Sequence, residues 1–171
     1  MSMPFSEFSD PATSAISRRA LMLSALAASL LGACASPRRN AQSVVLFVCQ
    51  FGTAKSAIAR ELFRRRIAQR HLAITAFSRG LTIEDHLTPQ LRQRLADDGI
   101  NPEFDRPQVL GLRDWQRATV IVAFNPLPAA VPRAKIRDWT DLPSITDDYA
   151  NTRAILDRRL EALIDELVGQ A

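Results

Sequence analysis

The sequence predicts an α/β domain, a small four-stranded parallel sheet flanked by helices in three layers. Three observations predict it. Val44-Val45-Leu46-Phe47-Val48 is an unbroken apolar run rich in valine, the pattern of a strand buried on both faces. Ala118-Thr119-Val120-Ile121-Val122-Ala123-Phe124 is a second such run. Around and between them, short strand patterns alternate with stretches of helical spacing, as parallel sheets with crossover helices require.

Composition sets the outer bounds. The 171 residues are 47% hydrophobic and 23% charged, values of a globular chain with enough length for one real core. The net charge is +4, carried mainly by arginine. That balance suits an anionic or phosphorylated ligand and also nucleic acid. Nucleic acid ranks last, because the arginine-rich stretch has no interleaved aromatic residues. Cys34, Cys49, His71 and His86 show no metal-ligand spacing, so neither a metal nor another cofactor is expected.

Residues 1–42 read as a leader rather than as fold. Ser17-Arg18-Arg19-Ala20-Leu21-Met22 resembles a twin-arginine export motif, and 14 uncharged residues follow from Ala20 to Ala33. A membrane span needs about 20 residues, so this length suits a signal h-region instead. Leu31-Gly32-Ala33-Cys34 resembles a lipobox, which implies lipidation of Cys34 and a membrane anchor. An ordinary cleaved signal or an uncleaved N-terminal anchor is the alternative. The expected organisation is a signal peptide over 1–33, a linker over 34–42 and the folded domain over 43–171. The chain is then exported, periplasmic and anchored through lipid.

The elements of the domain follow in order. After the first strand, helical spacing runs over 56–70, with Ile58, Ala59, Leu62, Phe63 and Ile67 near one side. Arg60, Arg64, Arg65, Arg66 and Arg70 decorate the other. That basic face is read as solvated, with an anionic surface or partner as the alternative. Residues 73–77 form a second short strand, followed by Ser78-Arg79-Gly80. Thr88-Pro89 is an N-cap followed by proline at the first helical position, opening a short helix that stops at Gly99. Residues 112–117 form another short helix. After the strand at 118–124, a proline-rich loop leads to a last strand over 134–139. The final helix starts near Asp147-Asp148, where acidic residues complement the helix dipole. Leu156, Leu160, Leu163, Ile164 and Leu167 give it an apolar stripe.

The chemistry concentrates between the first strand and the first helix. Cys49 ends the strand; Gln50, Phe51, Gly52, Thr53 and Ala54 form a tight loop; Lys55 and Ser56 open the helix. A loop leading into a helix N-terminus presents N–H groups to an anion. The same dipoles favour a cysteine thiolate at its mouth. A buried, inert strand-end cysteine is the blander reading.

This arrangement resembles the low-molecular-weight protein-tyrosine phosphatases and their arsenate-reductase relatives, whose pattern is strand, Cys-x-Gly-Asn-x-x-Arg-Ser, helix. The resemblance covers about residues 43–168. It places Cys49 as nucleophile, Ser56 as the serine that stabilises the thiolate, and residues 50–56 as the phosphate loop. Phe51 stands where that family has Gly, Gly52 where it has Asn, and Lys55 where it has the phosphate-binding Arg. Gly52 can adopt the left-handed backbone that Asn would. Lys55 brings a point charge without the planar fork of arginine. Ser78-Arg79-Gly80 matches two positions of the family's Ser-Ala-Gly, and Arg79 either turns toward the anion site or faces solvent.

The resemblance further implies a general acid in the late loop, for which Asp138 and Asp141 are the candidates and Asp141 the preferred one. Trp139 is either an aromatic wall for a substrate ring or a core residue. The implied reaction is phosphate monoester hydrolysis through a phosphocysteine, with no metal. The alternative is an exported pseudophosphatase, a binding module for an anion or a protein on the same fold. A thiol protein using Cys49 alone is a weaker third reading. Arsenate reduction by a cysteine relay needs further thiols that the mature chain lacks.

Overall fold

The computed structural model describes residues 42–170. The predicted signal segment, Cys34 and nearly all of the linker lie outside those residues. The elements run β1 (Ser43–Cys49), α1 (Lys55–Gln69), β2 (Ile74–Gly80), α2 (Pro89–Asp97), α3 (Leu112–Arg117), β3 (Val120–Ala123), a 3-10 turn (Arg133–Lys135), β4 (Ile136–Asp138) and α4 (Tyr149–Gly169). The four strands form one sheet in the order β2-β1-β3-β4, and every pairing is parallel. The expected α/β architecture is the observed one.

The apolar runs become strands because both faces of the sheet are covered. Val45, Phe47 and Cys49 of β1 point into one core with Ile58 and Leu62 of α1, Leu91 and Leu95 of α2, and Leu156 and Leu160 of α4. Leu46 and Val48 point to the opposite face, where Phe77, Ile121 and the half-buried Trp115 of α3 meet them. Central β1 pairs with β2 on one side and β3 on the other. Its C-terminal end, where Cys49 is paired with Gly80, is therefore fixed from both flanks. Ligands of open parallel sheets bind at this end of the strands.

Thr88 accepts a hydrogen bond from Leu91 N at 3.2 Å, with Pro89 at the first helical position, as the sequence predicts. Asp148 caps α4 by accepting from Asn151 N at 3.2 Å. β2 extends three residues past its predicted end, because Ser78-Arg79-Gly80 continues the pairing with β1 and Gly80 bridges to Val109.

The basic face of α1 is a correction. Arg60 is buried, with Nη1 donating to Ser78 Oγ at 2.8 Å, Nη2 to Pro102 O at 2.8 Å and Nε to Glu61 Oε1 at 2.9 Å. Arg66 and Arg70 meet the acidic flank of α4. Arg66 pairs with Asp157 at 2.5 Å and Glu161 at 2.7 Å, and Arg70 with Glu161 and with Asp165 at 2.6 Å. The face is mostly neither a solvated stripe nor an open basic patch; it is a set of tertiary ion pairs. Among the described residues no helix is long and apolar enough to cross a membrane.

Candidate active site

Cys49 closes β1 and is 5% exposed. Its Sγ lies 3.0 Å from Ser56 Oγ, within hydrogen-bond distance, and accepts from Gly52 N at 3.2 Å. Ser56 is fully buried in the first turn of α1. The sulfur thus has two polar neighbours, one hydroxyl and one backbone N–H, at the start of a helix.

The loop is clamped by its neighbours. Gln50 N donates to Asn125 Oδ1 at 2.9 Å. Cys49 O accepts from Leu81 N at 3.0 Å and Gln50 O from Thr82 N at 2.8 Å. Gly52 takes a φ of +73°, and a Cβ there would stand 2.9 Å from Gly80 N. This is the left-handed backbone expected at the position, and the close approach of the two backbones adds a second reason for glycine. Thr53 Oγ1 donates to Glu84 O at 2.8 Å and accepts from His86 N at 3.3 Å.

The two loop departures have distinct outcomes. The Phe51 ring stacks on His86 with centroids 3.7 Å apart and planes 12° from parallel. Lys55 Nζ donates to Leu142 O at 2.7 Å. Burial pushes the Lys55 ammonium below its ordinary pKa, and the nearby Cys49 partly offsets that. The charge thus sits in the electrostatic field of the sulfur.

A cavity of about 240 Å³ opens on this loop, lined by Cys49, Gln50, Phe51, Ala54, Lys55, His86, Asn125 and residues 144–146. Gln50, Phe51, Ala54 and Lys55 reach the cavity; Gly52, Thr53 and Ser56 shape the loop behind it. Among the described residues no carboxylate lines it.

The late-loop candidates lie apart from the Cys49 cavity. Asp141 is held by both arms of Arg159, at 2.8 and 2.6 Å. The hydrogen bond from Arg159 is the main reason its pKa falls below the ordinary carboxylate value, the opposite of what a proton donor needs. Asp138 accepts from Thr140 N at 2.9 Å, which lowers its pKa as well. Both face a separate, more open cavity of about 600 Å³ between β4 and α4. Trp139 borders that cavity too, 9% exposed and edge-on to Phe124 in the core. It is a core residue with no place in the Cys49 cavity. Arg79 pairs with Asp114 of α3 at 2.9 Å and neither enters the anion site nor stands free in solvent.

Five residues lining the cavity escaped sequence reading: Ser144, Ile145 and Thr146, Asn125 in its loop-clamping role, and His86. A signal existed for Asn125 and His86. Asn125 directly follows a buried strand, and His86 is one of two histidines, in the segment that leaves β2.

No known protein-family model matches the chain, and no curated protein matches it. Solved structures do. The chain is similar in fold to YfkJ from Bacillus subtilis, at TM-score 0.66 and 18% identity, over 77% of this chain and 98% of that one. It is similar to a low-molecular-weight phosphotyrosine phosphatase from Vibrio cholerae O395, at TM-score 0.62 and 22% identity, over 75% and 99%. It is also similar to a Cys-to-Ser variant of the YwlE arginine phosphatase with a phosphorylated active-site serine, at TM-score 0.62 and 19% identity, over 72% and 95%. The described domain thus has the low-molecular-weight protein tyrosine phosphatase fold.

Proposed function

We propose that the chain hydrolyses phosphate monoesters through a phosphocysteine on Cys49. The observation that carries this reading is the sulfur itself, held by Ser56 Oγ and Gly52 N at the mouth of a helix-start loop. Cys49 thiolate attacks phosphorus, the leaving oxygen departs protonated, and water then cleaves the S–P bond to release phosphate. The N–H groups of the loop and the Lys55 ammonium neutralise the phosphoryl oxygens. Arginine at position 55 would grip two oxygens at once, and a single transition-state contact of this kind is worth about 10²–10³ in rate. The native enzyme is accordingly a slow one.

A second reading has its own support. Lys55 is engaged by Leu142 O and Asp141 by Arg159, which favours a pseudophosphatase that binds an anion or a protein without turnover. Hydrolysis of 4-nitrophenyl phosphate by the full chain, beside Cys49→Ser and Lys55→Arg, separates the two. Catalysis predicts turnover that is abolished in Cys49→Ser and raised in Lys55→Arg. No turnover in the native chain favours the binding module.

Export and lipidation at Cys34 belong to the same proposal, on the strength of the twin-arginine-like and lipobox-like segments. Incorporation of labelled fatty acid that disappears in Cys34→Ala is the expected result; equal labelling in that variant would refute the anchor.

A further inference from the structure

We propose that His86 is the proton donor and acceptor of the Cys49 site, in place of an aspartate. The inference rests on the hydrolytic reading above. Among the described residues, the titratable side chains lining the cavity are Cys49, Lys55 and His86. Cys49 is the nucleophile, and Lys55 donates to Leu142 O while supplying charge to the loop. Asp141 faces another cavity, and Asp138 borders that one and a further cavity reaching Asn125; neither lines the Cys49 cavity. Imidazole is the side chain whose ordinary proton affinity suits both donation and acceptance near neutral pH.

His86 is positioned by three separate contacts. Its ring lies on the Phe51 ring at 3.7 Å, which gives the bulky loop residue a purpose. Its Nε2 is 3.2 Å from Glu84 Oε2, so the ring nitrogen that Glu84 leaves available is Nδ1. Its backbone N–H donates to Thr53 Oγ1, which in turn donates to Glu84 O. The 84–86 segment is therefore fastened to the phosphate loop. The charged groups around the ring are Glu84 and Asp85 on its own segment, with Asp85 bound to Arg92, and Cys49 and Lys55 across the cavity.

The step balances as follows. The S–P bond forms as the P–O bond to the leaving group breaks, and His86 Nδ1–H gives its proton to that oxygen. Neutral His86 then takes a proton from the attacking water while the S–P bond breaks. Inorganic phosphate leaves, and the Cys49 thiolate and protonated His86 are restored. Glu84 acts as a positioning residue for the ring.

The test uses two substrates that differ in their need for a proton, 4-nitrophenyl phosphate and phenyl phosphate, with the full chain. His86→Gln is expected to lower kcat for phenyl phosphate about 10²-fold or more, with a much smaller loss for 4-nitrophenyl phosphate. Glu84→Gln is expected to lower kcat in the same leaving-group-dependent way, with KM kept. His86 and Glu84 are both exposed, so neither substitution removes core packing. Equal rates for His86→Gln and the native chain on both substrates would overturn the proposal and leave hydrolysis standing. A leaving-group-dependent loss in Asp141→Asn instead would overturn it in favour of the aspartate. Absence of any Cys49-dependent turnover in the native chain would sink the hydrolytic reading and this proposal together.

Discussion

Gly80 and Ser56 show how much of the site rests on single atoms. A Cβ on Gly80 would lie 2.1 Å from Thr82 O and 2.8 Å from Gly52 N. Both contacts are backbone and neither can swing aside, so Gly80→Ala must push β2 and the loop apart. The expected cost is about 1–3 kcal/mol of stability, read by urea unfolding. Ser56→Ala removes one of the two groups within hydrogen-bond distance of the sulfur. Hydrogen bonds to charged groups are worth roughly 1.5–3 kcal/mol. Hydrolysis of 4-nitrophenyl phosphate by Ser56→Ala should therefore slow about tenfold or more; an unchanged rate would show that Ser56 does not act on the sulfur. These small residues were legible in sequence. Ser56 and Gly52 sit at the offsets from Cys49 that the phosphatase-like loop pattern implies, and such a pattern lies within a few consecutive residues.

At the scale of elements, α1 carries arginines that look alike in sequence and differ in the fold. Arg60 is 2% exposed and satisfies Ser78 Oγ and Pro102 O, whereas Arg70 is 41% exposed and pairs with Glu161 and Asp165 at the surface. Removing a buried charge strands its partners and costs about 3–5 kcal/mol, while exposed pairs are worth roughly 0–1 kcal/mol. Arg60→Ala is therefore expected to destabilise the domain severely and Arg70→Ala hardly at all, measured as urea midpoints at a common slope. Comparable midpoints would contradict the assignment. Nothing in a 3.6-residue period distinguishes the two, since burial of Arg60 depends on Ser78 and on Pro102, 18 and 42 residues away.

Across the whole molecule, a chain of net charge +4 holds many of its described carboxylates in ion pairs and backbone hydrogen bonds. Backbone hydrogen bonds hold Asp85 and Asp138 below their ordinary pKa values, and arginine partners do the same for Asp141 and Glu166. A carboxylate with a depressed folded-state pKa binds fewer protons folded than unfolded, so stability rises with pH through that window. The contribution is complete above the ordinary carboxylate range near pH 4 and is lost as pH falls through the lowered values. These groups are largely exposed, so each effect is small. The expected outcome is a melting temperature nearly flat from about pH 7 to 5 that declines below about pH 4. A rise on acidification would contradict it.

The sequence by itself determined the parallel sheet, the order of its elements, the cap of α2, the acidic start of α4, and the cysteine loop at the end of the central strand. All of these follow from apolar periodicity, β-branched runs and turn residues, which act over a few positions. Only the tertiary structure decided which distant groups share the Cys49 cavity. It turned Asp141 to Arg159, folded Trp139 against Phe124, paired Arg79 with Asp114 and brought His86 onto Phe51. Those choices rest on contacts between residues 15 to 35 positions apart, where chain reach and competing partners, rather than local pattern, set which side chain arrives.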